Sequence, residues 1–266
     1  MLSVSSSFME TIEVTRREGV VTVMLNRPAK KNAATRQMWA ELLVTFGEIS
    51  RNTADRVVIV TGGGGEFCAG ADLWQGADDG PPPHGLSQMR LIGDVALALH
   101  KLPQPTIAKV RGVAVGAGCN LALGCDLVVA STNARFSEIF TKRGLSLDFG
   151  GSWLLPRRVP LHIAKELAFF AEIYSADDVK EMGLVNRVVA DEELDGFVDE
   201  WAARLLALPP IALTQTKRML NGSVGPSMSE AVDDESAAQT VNFGTLDTTE
   251  AIAAFVEKRA PTFQGR

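Results

Sequence analysis

A chain of 266 residues that is 46% hydrophobic and 22% charged holds enough apolar material for one large globular domain or a domain with a helical appendage, and none of its apolar runs reaches membrane-spanning length. A formal net charge of −6 and a pI near 5.2 argue against non-specific nucleic-acid binding, while a local basic patch such as Arg27, Lys30 and Lys31 could still receive an anionic ligand. The three cysteines, Cys68, Cys119 and Cys125, are odd in number and far from any His, which speaks against a disulfide framework or a metal site; with an N-terminus lacking a secretory leader, this predicts buried thiols and a cytoplasmic location.

In chain order, Ile12 to Thr15 and Val20 to Leu25 are rich in β-branched residues on either side of Arg17-Glu18-Gly19, which predicts a hairpin-like pair ending at Asn26-Arg27-Pro28. From Thr35 the spacing of Met38, Leu42, Phe46 and Ile49 puts one apolar face on a helix, with Arg36, Glu41 and Glu48 in water. Val57 to Val60 reads as a short buried strand that runs into TGGGGEFCAGADL, residues 61–73. Four glycines suggest a phosphate loop, but no Lys-Ser/Thr follows them, and Gly116-Ala117-Gly118 further on lacks the third glycine of a dinucleotide fingerprint. Both nucleotide readings fail, and Gly62 to Gly65 is expected to be a flexible connection. Asp78 to His84 (DDGPPPH) is expected to be a surface loop able to cover a pocket. Leu91 to Leu102 predicts a helix closed by Pro103 and Pro105, with His100 at its C-terminal end.

The stretch from Lys109 to Gly151 is the most informative. Thr106 to Val110 predicts a strand; Gly112, Gly116, Ala117 and Gly118 then keep side chains away, so that backbone N–H groups at a helix start can approach a ligand and stabilise negative charge. Gly70-Ala71 repeats the same arrangement of strand, small residues and exposed amides. Strands at Leu127 to Ala130 and Ala134 to Ser137 follow. Beyond Gly151 the pattern is helical at Ile163 to Ala171, Ala176 to Met182, Glu192 to Leu208, Ile211 to Leu220, Met228 to Phe243 and Thr248 to Lys258, interrupted by a strand at Val185 to Val189. Strand-then-helix rhythm before residue 150 indicates an α/β chain of successive ββα units.

Six segments in this order, LNRPAKKNA (25–33), EFCAGADL (66–73), GVAVGAGCNLALGCDLVVAS (112–131), GLSLDFGGSWLLPR (144–157), SADDVKEMGLVNRVV (175–189) and EKRAPTFQGR (257–266), resemble the enoyl-CoA hydratase/isomerase, or crotonase, superfamily over nearly the whole chain. The resemblance implies a crotonase-like (ClpP/crotonase) α/β spiral of ββα units over residues 1–200 and a helical trimerisation region over 201–266, assembled as a homotrimer or a hexamer made of two trimers. It implies an acyl-CoA thioester as substrate, with coenzyme A entering as part of that substrate and no separate cofactor, and no nucleic-acid or membrane partner. By motif position the N–H groups of Ala71, after Gly70, and Ala117, after Gly116, would form the oxyanion hole. Lys30, Lys31 and Ala69 lie where the family meets the nucleotide portion of coenzyme A, and Lys258 and Phe263 would contribute from the C-terminus, across a subunit interface or within the chain.

Hydratases of the superfamily use two glutamates, and the matching positions here are Asn120 and Phe140, neither of which transfers a proton. Glu138 is displaced by two residues, which on a strand would keep it on the face of Phe140. Asp148 matches the position where isomerase branches, and a dehalogenase branch, carry an active-site aspartate. A single carboxylate suffices to move a double bond through a dienolate, and an apolar neighbour such as Phe140 or Phe149 would raise its pKa. The expectation is therefore a Δ3-Δ2 type enoyl-CoA isomerase. Hydration by other groups, thioester hydrolysis, dehalogenation and acyl-CoA binding without turnover remain as alternatives, as does a capping role for Asp148 at the helix beginning near Gly150. Pocket depth, and with it acyl chain length, is expected to depend on the loop from Trp74 to Met89.

Overall fold

The computed structural model describes residues 9–72 and 84–266. The expected Asp78 to His84 loop lies outside the described residues except for His84, as does the Trp74 to Met89 segment before His84; Leu73 of the 66–73 motif is also outside them.

Ten helices and nine strands are described. A six-stranded sheet has the order β1 (Ile12–Arg17), β2 (Val20–Leu25), β3 (Val57–Gly62), β4 (Thr106–Val110), β6 (Leu127–Ser131), β9 (Arg187–Val189), antiparallel only between β1 and β2. A three-stranded layer joins β5 (Val113–Val115), β7 (Arg135–Ser137) and β8 (Tyr174–Ser175). Isolated parallel bridges Ala34↔Ala71 and Cys68↔Ala114 extend this layer by two further segments. The spiral is visible in this pairing: after β2, β3, β4 and β6 the chain crosses to the smaller layer at Ala34, Cys68–Ala71, β5 and β7 in turn, then returns through a helix. The returning helices are α1 (Arg36–Arg51), α2 (Gly85–His100), α3 (Ala117–Gly124) and, after a 3-10 turn at Ile139–Arg143, α4 (Gly151–Arg158) with α5 (Leu161–Phe170).

The apolar character of β3 has a packing cause. Val58 and Val60 face the main core with Met38, Leu42 and Phe46 of α1, whereas Val57 and Ile59 face a second cluster with Leu194, Val198 and Ala202 of α7 (Leu194–Leu206). A parallel strand covered on both faces loses the apolar-polar alternation of a half-exposed one. The boundary drawn at residue 200 falls within α7. Beyond it α8 (Pro210–Gly222) docks mainly by polar contacts, Thr214 Oγ1 donating to Pro103 O at 2.9 Å and Lys217 Nζ reaching Gln104 O and Asp126, and α9 (Met228–Phe243) and α10 (Leu246–Glu257) complete a helical layer. Among the described residues no helix is long and apolar enough to cross a membrane.

Element limits follow the expectations with instructive differences. Helix α2 starts six residues earlier than its apolar spacing predicts, because the His84 imidazole caps it by accepting from Leu86 N at 3.2 Å and the first turn is exposed, so it carries no apolar period. Gly62 to Gly65 is not a loose connection. The Asn32 carboxamide donates to Gly63 O (2.9 Å) and Glu66 O (2.6 Å) and pins that turn.

Candidate active site

The segment 66–72 lies between two neighbours and its peptides alternate between them. Toward β5, Cys68 N donates to Val113 O (2.8 Å) and Val115 N to Cys68 O (2.9 Å); toward residues 31–34, Ala69 N donates to Lys31 O, Ala34 N to Gly70 O and Asp72 N to Ala34 O. Ala71 follows directly on Gly70 in this segment, between peptides that bond to residues 31–34. Ala117 is the first residue of α3, where an N–H has no partner within the helix. Among the described residues neither N–H donates to a backbone carbonyl.

Two glycines bring these turns together. Gly70 has φ +92°, and a Cβ there would lie 2.8 Å from Val115 O and 4.0 Å from Ala117 N, so the two amide-bearing turns are in contact. A Cβ on Gly118 would stand 2.4 Å from Cys68 O, which is why α3 can pack directly on the 66–72 backbone. The ring of Phe140, buried at the 3-10 turn, lies across the Gly116 backbone, its Cζ 3.7 Å from where a Gly116 Cβ would be.

Asp148 reaches the same region from the segment before α4. Its side chain does not cap that helix: the N-cap is Gly150, with no side-chain cap, and only the Asp148 carbonyl takes part, accepting from Gly151 N at 2.9 Å. The carboxyl is half-buried, its Oδ1 has no hydrogen-bond partner, and burial raises its pKa to about 6. Phe149 next to it is buried against Trp39, ring centroids 5.4 Å apart.

Asn120 and Glu138 complete the cluster. Asn120 Nδ2 donates to Glu138 Oε2 (3.2 Å) and to the Asp148 carbonyl (3.1 Å), joining α3, the 3-10 turn and the Asp148 segment. Glu138 does not lie on a strand, so strand parity does not place it; β7 ends at Ser137 and Glu138 is the N-cap of the 3-10 turn. It is 2% exposed, and burial, with the Asp148 charge adding to it and the Cys119 thiol and Asn120 amide opposing, raises its pKa to about 7. By distance and angle Oε1 has no hydrogen-bond partner, and the Cys119 thiol beside the carboxyl is at most a weak donor to it.

Lys30, Lys31 and Ala69 adjoin the Gly70-Ala71 turn. Lys31 Nζ is held by Glu66 Oε1 at 2.8 Å while Glu66 Oε2 accepts from Val113 N, and Lys30 is exposed at the end of a 3-10 turn, Pro28–Lys30. Lys258 and Phe263 lie elsewhere, in the C-terminal layer: Lys258 caps α10, and the N–H groups of Thr262, Gln264 and Gly265 are held by Glu250 and Asp247. Cys68, Cys119 and Cys125 are free and buried, and burial pushes Cys68 and Cys125 up to about 12. Sequence reasoning missed Asn32, which is buried with φ +55° and also accepts from Arg27 N at 2.8 Å. Its signal was an asparagine, a residue that tolerates the left-handed region, closing the LNRPAKKNA motif.

Comparison with known proteins shows the family and the fold. Residues 15–266 match the family described as Enoyl-CoA hydratase/isomerase. The chain is similar to the 1,2-epoxyphenylacetyl-CoA isomerase of Escherichia coli, 37% identical over 261 residues and covering 97% of this chain and all of that one. It is 35% identical to the short-chain-enoyl-CoA hydratase of Clostridium acetobutylicum, over 92% of this chain and 95% of that one. Among solved structures, the enoyl-CoA hydratase from Bacillus anthracis superposes with a TM-score of 0.92 at 31% identity, over 97% of this chain and all of that one.

Proposed function

This chain belongs to the enoyl-CoA hydratase/isomerase family, and from that premise we propose that it shifts the double bond of an enoyl-CoA thioester from the Δ3 to the Δ2 position, with Asp148 as its proton shuttle. The observation that carries this reading is the Asp148 carboxyl: half-buried, unpartnered at Oδ1, titrating near 6, and set beside positions 120 and 140 that hold no acid. As a carboxylate it takes a proton from C2 of the 3-enoyl chain. The electron pair moves into the thioester, giving a dienolate whose oxygen accepts from the Ala71 and Ala117 N–H groups, and the Asp148 acid returns the proton at C4. One proton leaves and one is restored, so no water or co-reactant is consumed. Each preorganised oxyanion donor is worth about 3 kcal/mol in such a step.

In this reading Gly70 and Gly116 admit the thioester between the turns, Phe140 borders the acyl group, and Lys30, Lys31 and Ala69 meet the nucleotide portion of coenzyme A. Lys258 and Phe263 contribute from a neighbouring subunit, the helical region 201–266 mediates assembly into a trimer or hexamer, and the enzyme works in the cytoplasm. A second reading, hydration of a 2-enoyl-CoA, has one observation in its favour: Glu138 supplies a second buried carboxyl, at a place the hydratase pattern does not use. Ultraviolet-monitored turnover of 3-enoyl-CoA and 2-enoyl-CoA in parallel separates the two. Accumulation of 2-enoyl-CoA from the 3-isomer supports isomerisation; consumption of 2-enoyl-CoA to the 3-hydroxy product with no isomerisation rejects it, and binding of an acyl-CoA without turnover of either rejects both.

A further inference from the structure

The cluster around Asn120 is short of hydrogen-bond donors. Both hydrogens of its amide are used, on Glu138 Oε2 and on the Asp148 carbonyl, yet Asn120 Oδ1, Glu138 Oε1 and Asp148 Oδ1 remain buried without a partner. A carboxylate can only add acceptors to such a cluster, whereas a carboxylic acid adds an O–H. We propose that Glu138 acts in its acid form as a positioning residue for Asp148: protonation turns one of its own oxygens from an acceptor into the single O–H donor of this cluster and holds Asn120, whose amide anchors the Asp148 segment.

Its surroundings favour the neutral form. Glu138 is 2% exposed, and the titratable groups facing it are the Cys119 thiol from α3 and the Asp148 carboxyl from the segment before α4. Arg158 of α4 acts on Cys119 at longer range, and its guanidinium is engaged by the carbonyls of Leu123 and Cys125. On the 3-10 turn itself Lys142 and Arg143 are exposed, Lys142 paired with Glu172. Among the described residues no cation therefore compensates a Glu138 carboxylate directly. Burial raises both carboxyls, Glu138 to about 7 and Asp148 to about 6, so the pair titrates in the neutral range; in the proposal the proton kept there is carried by Glu138, the more deeply buried of the two, and Asp148 is the ionised partner. As the pH rises through the Glu138 titration, the O–H is lost and a second negative charge enters the pocket where the dienolate forms.

The rate readout rests on the isomerase reading; a spectroscopic readout on the unliganded protein does not. For wild type and Glu138→Gln, the pH profiles of kcat and KM with 3-enoyl-CoA and the infrared carboxylic-acid stretch of the unliganded protein are measured, the latter at a pH between the two titrations. Glutamine is isosteric, permanently neutral and carries N–H donors, so Glu138→Gln is expected to abolish the fall of kcat above neutrality and to lower kcat on the acid side by less than about tenfold, with KM little changed; Glu138→Ala, which supplies no donor, is expected to lower kcat by roughly 10- to 100-fold. The acid stretch should persist in Asp148→Asn and vanish in Glu138→Gln. An unchanged alkaline limb in Glu138→Gln would overturn the proposal, as would an acid stretch that survives Glu138→Gln or is missing from the wild type. If 3-enoyl-CoA is not a substrate, the infrared result alone still decides the protonation of Glu138.

Discussion

At the residue scale, two acids meet at Asn120, whose amide donates to Glu138 Oε2 and to the Asp148 carbonyl, and the environment of each carries a consequence for the whole protein. Asp148 and Glu138 titrate at about 6 and about 7 in the folded chain, both above the values of an unfolded one. The native state thus holds protons that the unfolded state has released, so the stability linked to these groups is complete below the unfolded values and is lost as pH rises through 6 and 7. For Glu138 the change is on the order of 3 kcal/mol. Urea unfolding midpoints are expected to fall between acid and mildly alkaline buffer in the wild type and to fall less in an Asp148→Asn, Glu138→Gln double variant; equal falls in the two proteins would contradict this account. The two acids also mark how far a sequence reading reaches. Asp148 stood out as a candidate because the hydratase positions hold Asn120 and Phe140, which leaves it the acid before the glycine pair. Glu138 was harder to place, since β7 ends at Ser137 and the chain turns, so its approach to Asn120, 18 residues away, depends on three elements packing together.

At the element scale, the strands and helices of the spiral were legible because burial leaves periodic traces: β-branched runs for β1 to β4, and Met38, Leu42, Phe46 and Ile49 for α1. Turns held by long-range polar contacts leave no such trace. The Gly62–Gly65 turn looked loose in sequence, yet Asn32 bonds to Arg27 N, Gly63 O and Glu66 O and thereby sets where the 66–72 segment begins. Asn32→Ala would leave these three part-buried backbone groups without their partner, at a cost of roughly 2–4 kcal/mol. The expected result is a lower melting temperature together with weaker oxyanion stabilisation, seen as a lower kcat. A melting temperature equal to that of the wild type would show that Asn32 does not hold the turn.

At the scale of the whole molecule, the helical layer beyond α7 is unusual for an isolated chain. Phe243, Leu246, Ile252, Phe255 and Val256 on α9 and α10 are all exposed, Phe255 at 85%. Apolar residues concentrated in this way call for a partner surface, and the proposed trimer or hexamer supplies one. Sedimentation of the wild type as a multimer and of Phe255→Asp as smaller species is the expected outcome; a monomeric wild type would remove the assembly, and with it the contribution of Lys258 and Phe263 across subunits. In the proposed function, assembly and spiral serve one chemical arrangement, the Ala71 and Ala117 amides acting together with the Asp148 carboxylate, and its most direct test is the initial rate of 3-enoyl-CoA isomerisation by the Asp148→Asn enzyme. We predict a kcat about 10²- to 10⁴-fold below that of the wild type with KM little changed, since the amide preserves shape but cannot carry the proton; an Asp148→Asn enzyme that moves the double bond at the wild-type rate would contradict the account.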